Sequence, residues 1–130
     1  MGTFLTAYAY TLVTLLVLDG VWIGLIARSF YAQHLGHLLS GGFAIIPAVC
    51  FYLLYAAGIV FFVVQPHAEK SLMQLFLIGA FFRLIAYGAY DFTNQATLRD
   101  WPIIVTLADL AWGAFMSGTA AVVVAWLLSR

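Results

Sequence analysis

Four ionisable side chains fall inside long apolar runs of this chain: Asp19, Arg83, Asp91 and Asp109. A charge surrounded by hydrocarbon is expensive, and it persists only where a partner, a proton or water compensates it. Such groups are functional candidates by default. A carboxylate placed there exchanges a proton or holds a cation. An arginine, which keeps its charge, acts as a counter-ion or an anion clamp. Counted at about 1.5 Å per residue, Asp19, Arg83 and Asp109 are expected in roughly one layer, with Asp91 nearer the surface. Arg83 is then placed to bridge Asp19 and Asp109. One arginine does not neutralise three carboxylates, so a proton, a water-filled cavity or a bound cation must supply the remainder.

The neighbouring residues extend this set. Gly79, Arg83, Tyr87 and Asp91 recur at helical steps, with Tyr90 adjacent, and Thr106, Asp109, Gly113 and Ser117 form a small or polar stripe. Asp19 lies between Leu15 and Trp22, while Pro47, Tyr52 and Tyr55 offer a kink and hydroxyls. The expected ligand or ion pocket is therefore Asp19, Arg83, Tyr87, Asp91 and Asp109, walled by Trp22, Tyr90 and Trp112. The competing reading is structural, because buried ion pairs and tyrosine hydrogen bonds also fix helix register. Asp19-Gly-Val-Trp22 echoes Asp109-Leu-Ala-Trp112. On antiparallel helices, that echo puts the tryptophans on opposite sides of a carboxylate layer, as an inverted repeat does.

Those residues need four helices to position them. Of 130 residues, 65% are hydrophobic and 8% charged, whereas a soluble domain carries about 25% charged residues. Lipid is the solvent such a chain requires. Runs at 4–27, 42–64, 71–92 and 103–128 each suffice to cross a bilayer, which needs roughly 20 apolar residues. Continuous apolarity without two-residue alternation favours helices over barrel strands. The expected fold is one all-α membrane domain, 1–130, a four-transmembrane-helix bundle with a short interfacial helix after the first span. That helix is read from Phe30, Tyr31, Leu35, Leu38 and Leu39 set against Arg28, Gln33, His34 and His37, and Ser40-Gly41-Gly42 is expected to end it.

Finer expectations follow from single residues. The N-terminal run lacks a basic leader and carries Asp19, so it reads as a retained span. Asp100-Trp101-Pro102 reads as a helix start with an acceptor at the cap and Trp101 at the lipid–water interface. Gly20 and Gly24 form a GxxxG pattern expected to allow close helix packing. Cys50 is expected as a small buried apolar side chain. His34 and His37 are expected to be interfacial and not metal-binding. Lys70 and Arg130 on one side balance Arg28 and Arg99 on the other, so the positive-inside rule sets no orientation. Zero net charge without a basic tract argues against nucleic acid. No cofactor or metal is expected, and no nucleophile set is evident.

Leu18-Asp19 with Trp22 and Gly24, then Ala27-Arg28 with Phe30-Tyr31, resembles the bacterial membrane-protein family called domain of unknown function 2177. Tyr87-Gly-Ala-Tyr90-Asp91-Phe-Thr-Asn94 through Asp100-Trp101-Pro102, and Thr106 with Asp109 and Trp112-Gly113, resemble it too. The resemblance implies a multi-pass protein of the bacterial inner membrane and carries no established activity. Genes of that family often neighbour those of enzymes modifying membrane fatty acids, which implies a lipid-related role. Three functions are weighed: binding or transport of a small solute, ion or lipid at the charged pocket; an enzyme or enzyme subunit in fatty-acid modification; and a structural or regulatory partner. The bilayer, further copies of the chain or a larger membrane protein are the expected partners.

Overall fold

The computed structural model describes residues 2–39 and 44–130. In chain order it comprises α1 (Gly2–Trp22), a π turn (Ile23–Ala27), α2 (Arg28–Leu35), α3 (Ile45–Gly58), a second π turn (Ile59–Val64), α4 (Leu72–Thr97) and α5 (Ile103–Leu128). No strand occurs among the described residues. Four continuous helical stretches are long and apolar enough to cross a membrane: Thr3–Leu35, Ile45–Val64, Leu72–Thr97 and Ile103–Leu128. Large apolar side chains face outward, with Leu25 79%, Ile46 74% and Leu54 76% exposed. Surface of that kind is stable only against hydrocarbon. The chain is an all-α bundle of four spans, as its composition requires.

The helix limits differ from the sequence reading in instructive ways. α2 is the short helix expected after the first span, yet no break separates it from α1. The backbone passes through a π turn, in which the bonds skip one residue further than in an α-helix. Arg28 therefore sits in a helix and not in a connection. The expected stop at Ser40-Gly41-Gly42 and the start of the second span at 42 lie outside the described residues. α4 begins after Ser71, whose hydroxyl accepts from the Gln74 amide while the Gln74 side chain accepts from the Ser71 amide. This reciprocal capping box satisfies two orphan donors at the helix start.

Three local expectations are corrected. Asp100 does not cap α5: its φ is 60°, a left-handed turn that aspartate tolerates, and Pro102 occupies the cap position without a side-chain bond. Pro47 lies in the first turn of α3 (Ile45–Gly58), where its missing N–H removes no helix bond, so it produces no kink. Cys50 is exposed, because it falls on the outward face of α3.

Close packing also lies elsewhere than expected. A Cβ on Gly20 or Gly24 would meet nothing within 4 Å, so the GxxxG pattern of α1 makes no helix contact in this chain. The close approach is between α4 and α5. A Cβ on Gly79 would stand 2.8 Å from the Ser117 carbonyl oxygen and 3.2 Å from Gly118 Cα. Small residues thus let two backbones meet, which is how helices associate where lipid provides no hydrophobic drive. The apolar core collects at one end of the bundle, where Ala7, Ile59, Val60, Val63, Ala120 and Val124 are fully or almost fully buried. Asp19, Asp91 and Asp109 lie toward the other end.

These contacts separate two glycine classes. Gly79→Ala forces a methyl against a backbone carbonyl and is expected to destabilise by about 1–3 kcal/mol, the usual range for overpacking. Gly20→Ala is expected to leave stability unchanged or raise it by up to about 1 kcal/mol, since alanine is the better helix former. Unfolding midpoints of the detergent-solubilised protein check both; equal effects would refute the α4–α5 contact.

Candidate functional site

A cavity of about 740 Å³ opens among α1, α2, α4 and α5. Asp19, Trp22, Arg83, Tyr87, Tyr90, Asp109 and Trp112 all border it. Seven of the eight residues expected from the sequence are therefore brought to one space. Asp91 is the exception. It is fully buried, not on the cavity wall, and neither carboxylate oxygen has a hydrogen-bond partner among the described residues. A separate hollow of about 460 Å³, walled by residues such as Phe51, Leu54, Phe62 and Phe82, carries no charged group.

The two bordering carboxylates are held by hydroxyl and indole donors. Tyr52 donates to Asp19 Oδ2 at 2.5 Å, and Trp112 Nε1 donates to Asp19 Oδ1 at 3.4 Å. Tyr31 donates to Asp109 Oδ1. Each of these bonds links residues far apart in sequence, so each ties two spans together. In a low-dielectric bundle such charge-assisted bonds are stronger than neutral ones.

Trp22 and Trp112 stack face to face, with ring centroids 4.7 Å apart and planes at 8°. The two Asp-x-x-Trp segments thus meet, though not in the expected order. The tryptophans, expected on opposite sides of the carboxylates, meet ring to ring instead, and Trp112 reaches across to Asp19.

The expected Arg83 bridge is likewise replaced. Arg83 is 4% exposed. Its guanidinium carbon lies 3.2 Å from the Tyr87 ring centroid and 5.3 Å from that of Tyr55. Nε and Nη1 have no hydrogen-bond partner among the described residues. Aromatic faces have taken the place of carboxylates, through the attraction of a cation to the ring quadrupole. Gly113 makes the room: a Cβ there would overlap Arg83 Nε. Tyr55, below the arginine, shares a 2.8 Å hydrogen bond with Ser117.

Tyr31 was not legible as a site residue. At 3.6 residues per turn, the step from Asp19 to Tyr31 leaves it about 120° off the inward face. The π turn between them adds one residue and shifts the phase by about 100°. That returns Tyr31 to the bundle interior, where it reaches Asp109. Its only sequence signal was the helical spacing of Phe30-Tyr31 with Leu35. Arg28 also borders the cavity.

At the far end, residues expected at the interface tie the helix ends together. Trp101 donates to Thr106 at 3.1 Å, and Thr106 donates to Gln95 at 2.8 Å. His37 Nε2 lies 3.1 Å from the Asp100 carbonyl oxygen, and His34 Nδ1 lies 2.9 Å from that of Phe30.

Fold and cavity together define a four-span α-helical membrane protein with a largely apolar cavity that carries a few charged side chains. Residues 4–126 match the family model described as "Predicted membrane protein (DUF2177)", so the chain belongs to that family. No curated protein and no solved structure matches it.

The hydrogen bond between Tyr52 and Asp19 gives a direct test. Tyr52→Phe and Asp19→Asn, singly and together, are expected to yield a coupling energy of about 1 kcal/mol. A double-mutant cycle in detergent measures it; strict additivity would mean the bond does not hold α1 to α3.

Proposed function

We propose that this protein binds a small solute or lipid in the Asp19–Arg83–Asp109 cavity, and that the same chamber serves its transport or sensing. The supporting observation is the chamber itself. It is large, walled mainly by aromatic and aliphatic groups, and bears a few polar groups on fixed mounts, which is the general character of a ligand site. Helix packing alone does not require such a space.

A structural role for the charges is the weaker reading here. The Tyr52–Asp19 and Tyr31–Asp109 bonds fit that reading, but Arg83, whose guanidinium rests on tyrosines and not on a carboxylate, lies outside it. An enzymatic role has less support, since the bordering groups among the described residues include no cysteine, serine or histidine nucleophile. Residence in the bacterial inner membrane, with self-association or a larger membrane partner, belongs to this proposal.

Filling the cavity tests it. Ala86 borders the space, and Ala86→Phe is expected to occupy part of it while leaving the helices intact. A ligand at a hundredfold excess over its Kd stabilises a protein by about 2.7 kcal/mol. A panel of solutes and lipids is therefore expected to include compounds that raise the Tm of the purified protein and lose that effect in Ala86→Phe. A panel in which no compound does so, or in which the shifts persist in Ala86→Phe, would refute cavity binding.

A further inference from the structure

The charges on the cavity wall cancel, Arg28 and Arg83 against Asp19 and Asp109, but Arg83 lacks hydrogen-bond acceptors among the described residues. Arg83 stays charged in any surroundings, is 96% buried by its 4% exposure, and leaves Nε–H and Nη1–H without acceptors. The tyrosine rings offset part of the charge but accept neither of those in-plane bonds. A second guanidinium, Arg28, stands on the same cavity. The two bordering carboxylates are already engaged: Asp19 by Tyr52 and Trp112, and Asp109 by Tyr31. Elsewhere the wall is apolar, with Ile23, Ala27, Leu35 and Leu39.

Building on the cavity-binding reading above, we propose that the ligand is a monoanionic amphiphile. Its carboxylate or phosphate group docks at Arg83, and its apolar body lies along Ile23, Ala27, Leu35 and Leu39. The adjacent Nε–H and Nη–H of a guanidinium form a fork that matches two oxygens of either group. The fork now packs against Gly113 beneath Tyr87, so binding turns the side chain toward the cavity. Asp19 and Asp109 on the same wall disfavour a second negative charge, which restricts the ligand to a single one. Arg28 supplies a further positive charge for the same group.

The test compares decanoate, decanol, decylammonium and dihexanoyl phosphatidylglycerol on the intact protein in a non-ionic detergent. Tryptophan emission reports binding, since Trp22 and Trp112 both border the cavity. Decanoate is expected to bind more tightly than decanol. Arg83→Gln is expected to weaken the acid about tenfold or more, as loss of a charged hydrogen bond does, and to leave the alcohol unchanged. Arg83→Lys is expected to keep part of the affinity. Arg83→Met, which removes the charge and fills similar buried space, is expected to give the same loss and serves if Arg83→Gln does not fold. Arg83-dependent binding of decanoate alone identifies a free acid; the same dependence for the phospholipid alone identifies a lipid headgroup. Equal, Arg83-independent binding of acid and alcohol overturns the anion assignment and leaves the cavity reading standing. Preferential binding of decylammonium, lost in Asp19→Asn or Asp109→Asn, overturns it in favour of a cation. Failure of all four probes to bind overturns the anion assignment; cavity binding itself is judged separately, by the wider panel and Ala86→Phe.

Discussion

Charges inside a bundle that lipid surrounds must be answered by other helices, and much of this structure follows from that constraint. No water stands outside to solvate a misplaced carboxylate, and leaving one unpaired costs several kcal/mol. Tyr52 of α3 therefore answers Asp19 of α1, and Tyr31 of α2 answers Asp109 of α5. These cross-helix bonds fix rotation and register where apolar packing against lipid-like neighbours would leave both loose. The π turn at Ile23–Ala27 is part of the same solution, because it carries Tyr31 around to the side where Asp109 lies.

Arg83 shows how a permanent cation is accommodated without an ion pair. Its neighbour across the helix contact is Gly113, and its charge rests on Tyr87 and Tyr55. Replacing a carboxylate by ring faces leaves in-plane donors free, which a fully formed salt bridge would not. The arrangement holds the arginine in place while keeping its hydrogen-bonding capacity unspent, a property of a binding group more than of a clamp.

The bundle divides its work between its two ends. At one end, alanines, valines and Ile59 pack densely, and the glycine contact at Gly79 brings α4 against α5. That end supplies rigidity. At the other, large aromatic rings meet edge to face or stack, and their shapes leave a chamber between the spans. Aromatic walls are stiff, having few rotatable bonds, so the chamber keeps its form without being filled by side chains.

The spans, the fold class, the family and seven of the fifteen residues that border the cavity were legible in the sequence. Each rests on a one-dimensional property: hydropathy over about 20 residues, the scarcity of charge within it, or a motif. Periodicity placed Arg83 and Tyr87 on one face correctly, since α4 is regular throughout. The partners were not legible. Arg83 was expected against Asp19 and Asp109, because depth along a helix is countable, whereas rotation between helices is not. Tyr31 escaped because a π turn resets the helical phase without leaving a mark that residue types alone reveal. Gly20 and Gly24 matched a packing motif yet face outward, while Gly79 and Gly113 lie at the contacts. Sequence determined what must be buried in the membrane; only the tertiary structure decided which group answers which charge, because pairing depends on the mutual rotation of helices that no single span encodes.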